Sequence, residues 1–227
     1  MVGQIMFSPK GEKCSLRRVE IGGMPVLRVG LCREGMFARH KVRRAARVLA
    51  EAGVRRVLVP DGFADWELLS SYGLRPIDPL PFLRFHADRL VIAALKRQGR
   101  EPEKSVVALR AAGTDRDVVR AADRLCPAVR ELCISVPKGG DDLRRHLHWE
   151  YGAALGPDRP GVNLGVRFDK ATEGWGESVL ELFPGGRQDI RVSAPLSEEE
   201  IAGTQRLSLL AALWECGKVD PAQLEFT

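Results

Sequence analysis

The stretch that decides the fold lies between Ser105 and Phe168: Ser105–Leu109 (SVVAL), Asp115–Leu125 (DRDVVRAADRL), Glu131–Val136 (ELCISV), Asp141–Ala154 (DDLRRHLHWEYGAA) and Val162–Phe168 (VNLGVRF). Three short apolar segments alternate with two amphipathic segments of ten or more residues. Short apolar runs bounded by polar turns suit strands covered on both faces, and the longer segments suit helices. Strands divided by helices of that length pair through βαβ crossovers, so they run parallel. The expected fold class is α/β: a Rossmann-like three-layer arrangement with a largely parallel central sheet and antiparallel β-rich additions at the N and C termini.

Working upstream, Pro81 or Phe82 to Gln98 reads as one long helix with Leu83, Ala87, Leu90, Val91, Ala94 and Leu95 as its buried stripe. Proline in its first turn and Gly99 at its end punctuate it. Ala64–Ser71 reads as a short helix closed by Gly73, and Val54–Pro60 as a buried strand that joins the parallel set. A helix from Ala38 to Gly53 buries Val42, Ala45, Ala46 and Leu49 and presents Arg39, Arg43, Arg44 and Arg47 elsewhere. The segments 4–8, 13–21 and 25–32 are strand-like, and Pro9-Lys10-Gly11 and Ile21-Gly22-Gly23 are turn chemistry, so a hairpin is expected between Cys14 and Cys32.

Downstream, Ser178–Phe183 and Gln188–Ser193 flank Pro184-Gly185-Gly186-Arg187 and predict a second hairpin. Ser197-Glu-Glu-Glu resembles a capping box for a last helix that continues or restarts through Leu207, Leu210, Ala211 and Trp214 to Gly217. The expected organisation is an N-terminal hairpin region (1–37), a Rossmann-like core (38–170) and a hairpin plus C-terminal helix (171–227). All pack on one core as a single domain, and 101–104 is the alternative seam.

Composition narrows the class. Apolar residues make up 44% and charged residues 29% of 227 positions, ordinary for a globular protein. The five cysteines form no C-x-x-C pair, no leader-like apolar run opens the chain, and nothing approaches the roughly 20 apolar residues that span a bilayer. A cytoplasmic, soluble, membrane-free protein is expected. The formal net charge is +5, with 27 Arg against 8 Lys. That bias suits phosphate recognition, since the guanidinium fork matches phosphate oxygens, and it equally suits a bacterial-type coding preference.

In open parallel sheets ligands bind beyond the carboxyl ends of the strands. Three loops therefore matter: Pro60-Asp61-Gly62, Arg110-Ala111-Ala112-Gly113-Thr114-Asp115 and Pro137-Lys138-Gly139-Gly140-Asp141. Lys138, Gly139 and Gly140 precede a helix whose first N–H groups suit a phosphate or carboxylate, although Asp141 and Asp142 read equally well as plain caps. Arg110, Gly113 and Thr114 form the second candidate half-site. Asp61 is the candidate acid/base, in a tripeptide that is also common turn chemistry.

Neither G-x-G-x-x-G nor G-x-x-x-x-G-K-[ST] occurs, so no conventional NAD, FAD or ATP fingerprint is present. His146 and His148 sit two apart on a helix, about 200° around its axis, and cannot share one ion; no metal site is expected. The tryptophans on predicted helices, Trp66, Trp149 and Trp214, read as packing residues, and Trp175 between two strands as an exposed aromatic.

The expected function is a non-catalytic Rossmann-like binding or regulatory protein that acts through a protein partner or a small anionic ligand. The alternative is an enzyme acting on a phosphorylated or carboxylated metabolite, which requires Arg110, Lys138 and Asp61 to converge. The basic helix 39–47 offers a third route, nucleic acid, weighed against a merely solvated face because no aromatic residues interleave with its cations.

Overall fold

A computed structural model describes residues 1–8, 16–32, 38–156, 160–173, 176–186, 190–197, 201 and 204–227. The turn at Pro9-Lys10-Gly11, Cys14, Trp175, the tip residue Arg187 and the glutamates after Ser197 lie outside them. The chain divides into two compact units, Met1–Pro79 with Ser193–Leu224, and Leu80–Val192 with Glu225–Thr227.

The first unit contains β1 (Val2–Ser8), β2 (Leu16–Ile21), β3 (Met24–Cys32), α1 (Ala38–Glu51), β4 (Arg56–Leu58), α2 (Trp66–Ser70) and β5 (Arg75–Pro76). Its sheet runs in the order β2-β3-β1-β4-β5. Gly22 and Gly23, with φ of 51° and 76°, make the two-residue turn that closes β2 against β3, where Ile21 faces Met24. Only glycine enters that left-handed region without cost, so this register is set locally. The other neighbours pair in parallel: β1 with β3, β1 with β4 and β4 with β5. The strand expected at 54–60 thus belongs to this sheet and not to the one built from 105–168. Val42, Ala45, Ala46 and Leu49 of α1 pack on Ile5, Leu27, Val29 and Leu31, all buried, as the helical period predicts.

The second unit contains α3 (Leu80–Phe85), α4 (Ala87–Arg97), β6 (Val106–Arg110), α5 (Arg116–Leu125), β7 (Glu131–Ser135), α6 (Gly140–Tyr151), β8 (Leu164–Arg167) and β9 (Ser178–Glu181). Its sheet is parallel throughout, in the order β7-β6-β8-β9. The fold is mixed α/β with a parallel central sheet, and this unit carries the Rossmann-like arrangement. β6 lies at its centre with all five residues buried.

Two expectations are corrected here. The single helix predicted over 82–98 is interrupted at His86, whose φ of −104° and ψ of 25° leave the helical basin and separate α3 from α4. The hairpin predicted from 178 to 193 does not form among the described residues. β9 instead joins β8 in parallel, and β10 (Val192–Ser193) pairs with β11 (Glu225–Phe226) in a separate two-stranded sheet. Glycine-rich turn chemistry does make a turn after β9, where the Gly186 N–H donates to the Phe183 carbonyl at 2.9 Å, but it does not choose the strand's partner. The buried edge of β8 supplies a ladder that β9 completes.

From the C-terminal part of the chain, α7 (Arg206–Glu215) returns to the first unit. Leu209 to Leu213 are buried there, the Gln205 N–H donates to the Val59 carbonyl at 3.0 Å, and the Ser208 hydroxyl donates to the Ile77 carbonyl at 3.2 Å. No helix among the described residues is long and apolar enough to cross a membrane.

Candidate functional site

After β6 the chain crosses to β7 on one side, and after β7 it crosses back past β6 to β8 on the other. The loops leaving β6 and β8 therefore diverge, and such a switch of direction opens a crevice beyond the carboxyl ends of the strands. A cleft of about 630 Å³ lies there in the second unit. Ala111 to Asp115 line it from the loop after β6, Lys138 and Gly139 from the loop after β7, Phe168 and Asp169 from the loop after β8, and Arg84 from α3.

The first two loops are joined. Gly113 and Lys138 form a parallel bridge, and the Thr114 N–H donates to the Lys138 carbonyl at 3.1 Å. Gly139 has φ of 81° and stands so close to Thr114 that a Cβ at 139 would collide with its Oγ1. Gly139 is also the N-cap of α6, so the first turn of that helix has no side-chain cap. The neighbouring α5 differs, because Asp115 Oδ1 accepts from the N–H groups of Asp117 and Val118 at 2.9 Å each. The first N–H groups of α6, which have no side-chain cap, and the exposed Lys138 beside them make this edge of the cleft the electropositive one.

The carboxylates nearby are engaged. Asp169 Oδ2 accepts from the Ala112 N–H, and its Oδ1 accepts from the N–H groups of Ala171 and Thr172 at 3.0 Å each. Asp115 Oδ2 faces Arg84 Nη1 at 3.4 Å. Arg84 also donates to the Phe168 carbonyl and, through Nε, to the Leu182 carbonyl at 2.8 Å. Along α6, Asp141 pairs with Arg144, and Asp142 pairs with Arg145 at 2.9 Å.

Of the residues singled out in the sequence, Gly113, Thr114, Lys138 and Gly139 meet in this cleft. Gly140 is buried behind it as the first residue of α6. The Arg110 side chain is 2% exposed and is not part of the lining, although its carbonyl accepts from the Phe168 N–H at 2.9 Å. Asp61 lies in the first unit on an exposed turn after β4, closed by the Phe63 N–H to the Pro60 carbonyl at 3.3 Å. Arg84 and Asp169 were not anticipated. Asp169 follows a predicted strand directly, so its position at a strand end is the signal that would have found it.

His146 Nε2 meets Asp123 Oδ1 at 3.0 Å, and His148 Nδ1 meets the Ala153 carbonyl at 3.1 Å, so the two imidazoles face different partners. No group of three or more potential metal ligands occurs among the described residues. Cys133 is buried, and burial together with Asp123 pushes the Cys126 thiol up from its ordinary value. Trp149, expected to pack, is instead 80% exposed on α6.

No family model matches the chain, and no curated protein matches it. Solved structures similar to it include an L-tryptophan dehydrogenase from Nostoc punctiforme, 14% identical with a TM-score of 0.35 over 70% of this chain and 51% of that one. Another is a shikimate dehydrogenase in complex with NADP+, 13% identical with a TM-score of 0.31 over 75% of this chain and 66% of that one. The chain therefore spans between half and two thirds of the length of these structures. At these TM-scores the likeness carries no argument about ligand or reaction.

Proposed function

We propose that this chain is a cytoplasmic binding protein that takes a small phosphate- or carboxylate-bearing ligand at the switch-point cleft of its second unit. The observation that carries this reading is the lip formed by Lys138, Gly139 and the uncapped first turn of α6, clasped to Gly113 and Thr114. Backbone donors fixed at a helix start, beside a cation, suit an anion. The four nearby carboxylates have their negative charge turned toward their own backbone or toward arginines, which lowers their repulsion of such a ligand. Binding without turnover is favoured because both carboxylates that line the cleft are committed to holding its walls: Asp115 caps α5 and faces Arg84, and Asp169 accepts from the N–H groups of Ala112, Ala171 and Thr172. The cytoplasmic assignment rests on an odd number of cysteines with no C-x-x-C pair.

The test is a thermal-shift titration with nucleotides, dinucleotides, sugar phosphates and dicarboxylates. A ligand at about 100 times its Kd adds about 2.7 kcal/mol of stability, so saturable stabilisation is expected. It should be lost in Lys138→Ala. If none of these compounds stabilises the protein, or if Lys138→Ala keeps the response, the proposal fails.

A further inference from the structure

The charges of α1 are arranged against the stability of the helix that carries them. Arg39, His40 and Lys41 occupy its first turn with no acidic residue there, and its one acidic residue, Glu51, stands at the far end. The helix dipole favours the opposite arrangement, with anions first and cations last. Arg39, Arg43 and Arg47 follow one another at intervals of four, so like charges face each other along the helix surface and repel.

The side chains of Arg39, His40, Arg43, Arg44 and Arg47 are exposed. Arg39 has only a loose ion pair, 3.9 Å from Asp65. Arg43, Arg44 and Arg47 have no ion pair or hydrogen bond among the described residues. Among the described residues only that loose contact with Asp65 offsets the repulsion, so an external anion is the simplest account of it.

We propose that this ribbon docks a nucleic-acid strand through its phosphates, without selectivity for base sequence. Successive arginines on one face are about 6 Å apart along the axis, a step comparable with that between phosphates of a nucleic-acid strand. Phosphate contacts alone position a strand without reading it, and α1 has no aromatic residue on which a base could stack. A membrane surface does not fit, because the apolar face of α1 is spent on the core: Val42 is 5% exposed, and Ala45, Ala46 and Leu49 are fully buried. The proposal concerns the first unit only and stands independently of the ligand cleft.

The experiment is fluorescence anisotropy of the full chain with a labelled 20-base-pair DNA duplex of arbitrary sequence, from 50 to 200 mM KCl. Three or four phosphate contacts predict a slope of about −3 in log affinity against log salt, hence a loss of roughly fifty- to a hundredfold across that range. Arg44→Ala should weaken binding several-fold and reduce the slope by about 1, whereas Arg130→Ala, the same change in net charge on the second unit, should leave both unchanged. The triple variant Arg43→Ala/Arg44→Ala/Arg47→Ala should lose binding and melt no lower than the wild type, since it removes repulsion. Absence of saturable binding at 50 mM KCl, an equal effect of Arg130→Ala, or tighter capture of poly-glutamate than of the duplex would each overturn the proposal, the last assigning the ribbon to an acidic protein.

Discussion

Gly139 and Thr114 fix each other: the left-handed glycine at the start of α6 leaves no room for a Cβ beside the Thr114 hydroxyl, and the Thr114 N–H is bonded to the Lys138 carbonyl one residue away. Two penalties therefore act on Gly139→Ala, a positive φ and a collision. Together they should cost about 2–3 kcal/mol, of which about 1 belongs to the backbone conformation. The double variant with Thr114→Ala should recover the steric part and keep the rest. Urea unfolding of the two singles and the double measures this, and a double variant no better than Gly139→Ala would show that the two residues are not coupled.

Arg84 holds the far wall of the cleft. Its guanidinium donates to the carbonyls of Phe168 and Leu182 and faces Asp115, so it ties the ends of β8 and β9 to the start of α5. Arg84→Met keeps the stem and removes five donors, leaving two carbonyls short of a partner. A loss of about 2–3 kcal/mol is expected, with Arg84→Lys intermediate. Amide hydrogen exchange should localise the loosening to the segment after β8, and an unchanged exchange pattern there would contradict this account.

Much of the second unit was legible because its signals are local. The switch from apolar runs to amphipathic segments of helical length gives β6, α5, β7, α6 and β8, and Asp115 caps α5 as an aspartate before a helix should. Strand partners were less legible. Gly22-Gly23 dictates the β2–β3 hairpin, but nothing local tells β1 to lie parallel to β3 or to take β4 as its other neighbour. β9 reaches β8 in parallel with no helix among the described residues between them, which defeats the rule that parallel strands are joined by helical crossovers. The cleft was half visible: its glycines and Lys138 sit where strand-end loops are expected. Arg84 comes from a helix before the sheet begins, a proximity that exists only after folding.

Gln4 is the polar centre of the first unit. It is fully buried on β1, its amide donates to the Thr204 hydroxyl, and its carbonyl oxygen accepts from Arg28 Nε at 2.7 Å. Gln4→Leu keeps the volume but strips both partners, leaving part of the half-buried Arg28 guanidinium and the buried Thr204 hydroxyl unsatisfied. It should cost about 2–4 kcal/mol. Combining it with Thr204→Val should cost less than the sum of the singles, and strict additivity in the unfolding cycle would argue against a shared network.

His86 makes the second unit sensitive to acid. Its ring, 1% exposed, sits at the break between α3 and α4 with Phe82 and Phe85 at centroid distances of 4.9 Å each and Phe226 at 5.7 Å. Burial pushes its pKa down from 6.5 to about 4, helped by Arg89, Arg124 and Arg120 and opposed by Asp88. The folded protein therefore holds the imidazole neutral where the unfolded chain would protonate it. Its contribution is complete above about pH 6.5 and drains away as the pH falls from there toward 4, because the unfolded state then binds the extra proton. The full difference is on the order of 3 kcal/mol. Urea unfolding at pH 7, 5.5 and 4.5 should show this decline, and His86→Phe should flatten it by that amount even if its stability at pH 7 is altered. A wild type and His86→Phe that lose stability in parallel between pH 6.5 and 4 would mean that other groups carry the acid sensitivity.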